Sequence, residues 1–332
     1  MAGSWGTTLA SVLAENNHEV TLWTRNPTQA DEINRFHTND KYLPGVELPS
    51  NIKATGSIEE AVCGARIVII AATSSSMREV ARKIRPYIDV STVIVHATKG
   101  FEADSLKRMS QVIADELPDY PAKRIAVLSG PSHAEEVVRK CPTTVVVAAE
   151  ERMAAETAQK LLINSYFRVY TNSDVIGVEV GGALKNIIAI GGGLSDGLLF
   201  GDNAKAALLT RGLAEISRLG TAMGASPLTF AGLAGIGDLI VTCTSKHSRN
   251  WRAGYMLAQG KPLDDVLREM GMVVEGVKTT HSAYELAKKY DVEMPITEQL
   301  VQVLFHGKNP KAAVEDLMGR DRTQEKNDPI SP

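Results

Sequence analysis

The sequence predicts an α/β fold, with a Rossmann-like, doubly wound sheet in the first half, its first strand absent from this chain, and an all-α second half. Three observations lead there. Short, continuous apolar runs alternate with helical patterns as far as Thr171. Beyond Thr171 only helix-period patterns remain. A turn containing two glycines, Ala2-Gly3-Ser4-Trp5-Gly6, opens directly onto the first helical pattern, as a phosphate-binding turn does.

Length and composition set the frame. The chain has 332 residues, enough for two domains with ample cores. Hydrophobic residues make up 44% and charged ones 23%, the balance of an ordinary globular protein. A formal net charge of -3 gives no broad basic field, which argues against nucleic acid as a partner while leaving room for local anion sites. Cys63, Cys141 and Cys243 are odd in number, scattered and without a CxxC pair. That pattern argues against a disulfide framework or a metal site and fits a reducing cytoplasm. No signal peptide and no apolar run of roughly 20 residues is read, so membrane insertion is not expected. Oligomeric state is left open, a homodimer included.

Taken in order, Gly3 and Gly6 have the spacing of the second and third glycines of GxGxxG, with Met1 where the first should stand. A helical run through Val12, Leu13 and Ala14 ends at Asn16-Asn17-His18, and Glu19–Thr24 reads as a strand. In a doubly wound sheet the missing strand would lie in the middle, paired on both sides. Its neighbours should therefore lack a ladder partner, and cofactor binding should be weak. The expectation is that about seven or eight residues ending in glycine belong before Ala2.

The strand ends in Thr24-Arg25-Asn26-Pro27 rather than in an acid for the ribose 2′-hydroxyl. Arginine suits a 2′-phosphate, so NADP as well as NAD should be accepted; the alternative is a surface arginine before a turn. Further strands read at Ile67–Ala72, Thr92–His96, Ile125–Leu128, Thr144–Ala148 and Phe167–Tyr170, and Thr73-Ser74-Ser75-Ser76 should cap the helix that follows. Lys99 and the turn Ser129–Ala134 fall at strand carboxyl ends, where open α/β sheets bind ligands; the competing reading of Lys99 is a solvated loop lysine.

After Thr171, helical patterns run through Asn203–Met223, Arg249–Gln259, Glu275–Tyr290 and Ile296–His306, with Pro227, Pro262, Pro295 and Pro310 near starts or breaks. The domains predicted are 1–171, an NAD(P)-binding Rossmann domain; 172–319, an all-α substrate domain; and 320–332, a polar tail expected to be disordered.

The second domain opens on Val178-Glu179-Val180-Gly181-Gly182-Ala183-Leu184-Lys185-Asn186 and continues through Ile187 to Gly193. Helical spacing of Leu184, Ile187, Ile188 and Gly191 predicts one buried stripe with Lys185 on its flank. Each glycine in a helix costs about 1 kcal/mol relative to alanine, and close approach of a small ligand to the Lys185 amine would explain the cluster. A packed helix whose lysine snorkels to water is the competing reading. Asp238 sits in the apolar, glycine-rich Gly235-Ile236-Gly237-Asp238-Leu239, and Ser245–Asn250 places Arg249 and hydroxyls at a helix start. Phosphate or carboxylate suits such a start; otherwise Ser248, and likewise Asp238, is only a cap.

The segments AGSWGT, LWTRN, KYLPG, HATKGFE, LSGPSHAEEV, EVGGALKNIIAIGGG, GLAGIGDLIVTCTS, HSRNWRAG and VVEGVKT resemble, in order and spacing, bacterial NAD(P)-dependent glycerol-3-phosphate dehydrogenases, from Ala2 to about Gly319. The resemblance implies reversible oxidation of sn-glycerol 3-phosphate to dihydroxyacetone phosphate in the cytoplasm, supplying phospholipid synthesis. It implies Lys185 as proton acceptor. It implies Ser4, Trp5, Arg25, Lys99, Ala134, Arg249, Val273 and Glu275 at the NAD or NADP, and Lys99, Gly130, Ser132, Lys185, Asp238, Ser248, Arg249 and Asn250 at the substrate. No metal is expected. The N-terminus departs from the family pattern, lacking the first strand and the first loop glycine. Related hydroxyacid and sugar-acid dehydrogenases share the two-domain plan and lysine helix but act on carboxylates. Outside the enzymes, the missing strand leaves a non-catalytic nucleotide sensor or an inert fragment as the alternative; the intact set Lys99, Lys185, Asp238 and Arg249 argues against it, since a sensor has no need of the base.

Overall fold

The computed structural model describes residues 1–322 and Glu325. The chain divides into two compact units. The first comprises Met1–Thr98 and Met109–Val175, and the second Lys99–Arg108 and everything from Ile176 onward. The ten-residue strap 99–108 thus leaves the first half of the sequence and groups with the second unit, across the expected boundary. The junction expected near Asn172 falls at the end of the last strand. Most of the tail 320–332 lies outside the described residues.

In the first unit the order is α1 (Ser4–Glu15), β1 (Val20–Trp23), α2 (Pro27–Phe36), β2 (Ile52–Thr55), α3 (Ile58–Val62), β3 (Ile67–Ile70), α4 (Met77–Ile84), β4 (Val93–His96), α5 (Met109–Glu116), β5 (Ile125–Ser129), α6 (Ala134–Val137), β6 (Thr143–Ala148), α7 (Arg152–Leu162) and β7 (Phe167–Asn172). The strands do not form one sheet. β1 and β2 pair in parallel as a two-stranded sheet, and β3-β4-β5-β6-β7 form a second, parallel except for the antiparallel β5–β6 pair. β1 and β3 are therefore both edges. Helix α1 serves both sheets. Leu9, Val12 and Leu13 join the core of the larger one, while Ala10 and Ala14 pack with Leu22, Ile52 and Ala54 of the smaller. Every residue of β4 and β5 is buried, the pattern of strands covered on both faces.

The strand β2 was not read from sequence: Ile52-Lys53-Ala54-Thr55 carries an exposed lysine and is only four residues long. The serine run after β3 does not cap α4. Ser74–Ser76 form a short 3-10 turn, Thr73 hydrogen-bonds the Ser75 and Ser76 hydroxyls, and no side chain caps α4.

The second unit is helical: α8 (Val175–Gly197), α9 (Gly201–Ala222), α10 (Pro227–Phe230), a π-helical turn at Leu233–Gly237, α11 (Asp238–Thr244), α12 (Arg249–Ala258), α13 (Leu263–Met270), α14 (Glu275–Tyr290), α15 (Pro295–Phe305) and α16 (Pro310–Met318). Pro227, Pro295 and Pro310 occupy first-turn positions and Pro262 precedes α13, as their missing N–H and fixed φ favour. α8 is buried on all sides from Gly177 to Ser195, not along one stripe. A helix apolar all round is a core helix, and the other helices wrap it. α8 also corrects the expectation about apolar runs. It is long and apolar enough to cross a membrane by length and composition, as is Pro227–Thr244, yet 94% of its apolar window is buried inside the protein.

Candidate active site

The glycines of α8 admit neighbouring backbone rather than a ligand. A Cβ on Gly193 would stand 1.9 Å from the Trp251 carbonyl oxygen, and one on Gly181 would stand 2.7 Å from that of Ala234. Reciprocally, a Cβ on Gly254 would meet the Ile190 carbonyl at 2.0 Å. The first contacts bring α12 against α8. The Gly181 contact brings in the π-helical turn, which presents Asp238.

Lys185 does not snorkel. Its side chain is 6% exposed, and Nζ donates to Asp238 Oδ1 at 2.5 Å and to Thr242 Oγ1 at 2.5 Å. Thr242 Oγ1 in turn donates to the Asp238 carbonyl oxygen at 2.6 Å. The second Asp238 carboxylate oxygen accepts from Lys99 Nζ at 2.6 Å, so one carboxylate bridges two ammonium groups. Asp238 begins α11 but its side chain caps nothing; both oxygens are taken by lysines. Lys99 is the most open of the three, at 23%.

Burial pushes the Lys185 ammonium down to about 8; the Asp238 carboxylate opposes that and the Lys99 charge reinforces it. Burial alone would raise Asp238, but the Lys185 and Lys99 charges and hydrogen bonds hold its carboxyl below the usual range. Burial also pushes the neighbouring Cys243 thiol up to about 12, leaving it protonated and inert as a nucleophile. An amine near 8 inside a carboxylate-bridged cluster can take or give a proton close to neutral pH.

A second network adjoins the lysine. Asn250 Nδ2 donates to Oδ1 of Asn186, the residue after Lys185, at 2.8 Å, and Asn250 Oδ1 accepts from Gly276 N at 2.9 Å. Ser248 is the N-cap of α12, accepting from Trp251 N at 3.2 Å. The Arg249 side chain is exposed and donates from Nη1 to the Val273 carbonyl at 3.0 Å. Val273 lies in the loop before α14, and Glu275 is the first residue of that helix.

Sequence reasoning missed Thr242 and Asn186. Thr242 lies four residues after Asp238, one turn along the same helix face, which was the available signal. Asn186 had no signal beyond adjacency to Lys185.

The remaining predicted residues belong to the first unit. Ser4 opens α1 and donates from Oγ to the Tyr42 carbonyl at 3.1 Å; Trp5 follows it, partly buried against the larger core. Thr8 Oγ1 reaches the carbonyls of both Ser4, at 2.9 Å, and Ala134, at 3.4 Å, tying the start of α1 to α6. Arg25 is exposed beyond β1, just before the Asn26 cap of α2, and lies 3.9 Å from Glu79 Oε2. Gly130 has φ +124, and a Cβ there would be 3.0 Å from Val145 Cα; its carbonyl accepts from Ser132 Oγ at 2.9 Å. Gly3 precedes α1 with no side-chain hydrogen bond capping the helix, and a Cβ on Gly3 would meet nothing within 4 Å. Gly6 answers a different need, for a Cβ there would lie 1.9 Å from the Met1 carbonyl oxygen.

Comparison with known proteins gives the family. Residues 2–155 match the N-terminal model of NAD-dependent glycerol-3-phosphate dehydrogenase, and residues 174–315 match the C-terminal model. The chain is 58% identical over 330 residues to a glycerol-3-phosphate dehydrogenase [NAD(P)+] of Bacillus subtilis, covering 99% of this chain and 96% of that one. Its counterpart in Geobacillus thermodenitrificans is 59% identical over 328 residues, with 98% and 95% covered. The crystal structure of the Coxiella burnetii glycerol-3-phosphate dehydrogenase superposes with a TM-score of 0.91 at 40% identity, covering 96% of this chain and 97% of that one. The chain therefore belongs to the NAD(P)-dependent glycerol-3-phosphate dehydrogenases, oxidoreductases that interconvert glycerol 3-phosphate and dihydroxyacetone phosphate with NAD or NADP.

Proposed function

We propose that Lys185 is the proton acceptor of this reaction, with Asp238 and Lys99 setting its charge state. The observation that carries the proposal is the buried Lys185 amine, held on Asp238 and Thr242 and lowered to about 8 by burial. In the oxidative direction neutral Lys185 takes the C2 hydroxyl proton. The nicotinamide, when bound, supplies the hydride acceptor. In the reductive direction the Lys185 ammonium returns the proton to the forming alkoxide and stabilises its charge. Lys99, Asp238, Ser248, Arg249 and Asn250 contact the substrate in this reading, Arg249 being the phosphate's two-pronged donor, and Gly130 and Ser132 complete the substrate set.

For the cofactor, Gly3 and the start of α1 would hold the pyrophosphate, with Ser4, Trp5 and Ala134 beside it and Arg25 on a 2′-phosphate. Lys99, Arg249, Val273 and Glu275 are assigned to the cofactor by resemblance. Cytoplasmic location, supply of phospholipid synthesis and a homodimeric assembly belong to the same proposal and rest on the family alone. The direct test is loss of NADPH and NADH absorbance with dihydroxyacetone phosphate, beside a panel of 2-oxo acids. Turnover confined to the phosphorylated ketone supports the proposal; preference for a carboxylate substrate refutes it.

A further inference from the structure

Arg108 and Glu179 form an ion pair that the proposed chemistry does not use. Both side chains are largely buried, at 14% and 3% exposure. A buried ion pair is a poor stabiliser, since a well-packed apolar pair of similar volume often does as well or better. Here it closes the strap that carries Lys99. Phe101 and Arg108 form an antiparallel bridge, Glu102 N donates to the Lys107 carbonyl at 3.0 Å, and Leu106 N donates to that of Glu102 at 2.9 Å. Phe101 is buried in the core of the second unit and Leu106 packs against it. Lys99, at the head of the strap, reaches Asp238. Glu179 sits on α8 six residues before Lys185, about 9 Å along the helix and on another face, so the pair acts on the cluster through the strap.

We propose that Arg108 and Glu179 are positioning residues, clamping the 99–108 strap to α8 so that the Lys99 ammonium stays on Asp238 and the substrate. This rests on the reading of Lys185 as the proton acceptor. The groups that face the Lys185 amine are Asp238, Thr242 and Cys243 from α11 and Lys99 from the strap. Of these, Lys99 is the one the clamp can move. Its departure removes a like charge and frees Asp238 to pair with Lys185 alone, and both changes favour the ammonium.

The test is the pH profile of kcat/KM for glycerol 3-phosphate oxidation in the full chain with NADP+. That rate rises with pH as Lys185 loses its proton. Arg108→Gln should move the rising limb to higher pH, by roughly one pH unit, and raise KM for glycerol 3-phosphate roughly tenfold. Arg108→Lys, which keeps the charge, should recover most of both. Lys99→Met should shift the limb in the same direction, and Arg108→Gln on top of it should add little, because the two act through one group. A limb that moves with Lys99→Met but not with Arg108→Gln overturns the clamp and leaves the base assignment standing. A limb unmoved by Lys99→Met instead faults the underlying reading of Lys185. If Arg108→Gln does not fold, Glu179→Asp keeps both charges and shortens the pair by one methylene. A smaller shift in the same direction supports the clamp, and a wild-type limb and KM overturn it.

Discussion

One carboxylate shared between two lysines decides the chemistry at the scale of single residues. Burial lowers the Lys185 ammonium to about 8, and Asp238 resists that fall. Oxidation of glycerol 3-phosphate should therefore rise with pH through about 8, while reduction of dihydroxyacetone phosphate falls over the same range. Asp238→Asn removes the opposing charge, so the limb should move to lower pH, opposite in sign to Lys99→Met. A shift to higher pH in the asparagine variant would contradict the assignment. The same group makes stability pH-dependent. Folded Lys185 loses its proton near 8 and the unfolded lysine near 10.5, so the unfolded chain binds more protons between those values and Lys185 makes the fold more stable as pH rises through them. Lys185 as a candidate was legible in the sequence because its glycine-rich helix is unusual. The resemblance also placed Lys99 and Asp238 with it at the substrate, but the Asp238 carboxylate bridging two ammonium groups was not legible, because that contact is set by tertiary packing.

At the scale of elements, close packing of helices explains the glycines that the sequence left ambiguous. Periodicity indicated one buried stripe on α8, but burial runs round the whole helix. The signal was there in its apolar character on every face, and a ligand was invoked where neighbouring backbones supply the reason. Gly193→Ala or Gly254→Ala should each destabilise the second unit by about 1–3 kcal/mol or more, since the added carbon meets a carbonyl oxygen at about 2 Å. An unchanged melting temperature would contradict the close crossing. A second element-level device is Glu215 of α9, which accepts from Ile296 N, Thr297 N and the Thr297 hydroxyl at the start of α15. Burial raises its carboxyl to about 7 despite those hydrogen bonds. With the folded group protonating near 7 and the unfolded near 4.5, the stability it contributes is full below 4.5. That contribution is lost as pH rises towards 7, on the order of 3 kcal/mol in total. The unfolding free energy of the wild type relative to Glu215→Gln should accordingly decline between pH 5 and pH 8; a difference flat in pH would place Glu215 in its ordinary range.

At the scale of the whole molecule, each unit carries residues proposed for both cofactor and substrate, but the charged groups proposed for two tasks are separate. Residues proposed for the pyrophosphate and the 2′-phosphate lie in the first unit, and the titrating cluster lies in the second. Most strands and the long helices were legible because apolar runs and helical periods are local signals. The unpaired edges of β1 and β3 were legible too, as the expected consequence of an absent central strand, whereas the strap's allegiance to the second unit and the short strand β2 were not, since each depends on pairing or packing between distant residues. The separate placement of Arg25 and the titrating cluster predicts separable effects. Arg25→Asp should lower the ratio of kcat/KM for NADP to that for NAD, because a carboxylate repels the 2′-phosphate, without moving the pH limb set by Lys185. An unchanged ratio would remove Arg25 from the cofactor site. The most direct measurement is kcat of Lys185→Met beside its NADPH affinity. The account predicts a loss of roughly two to four decades in kcat, the usual reach of a general acid–base, with NADPH affinity within about twofold of wild type because Lys185 is not among the cofactor residues. Turnover within tenfold of wild type would contradict it.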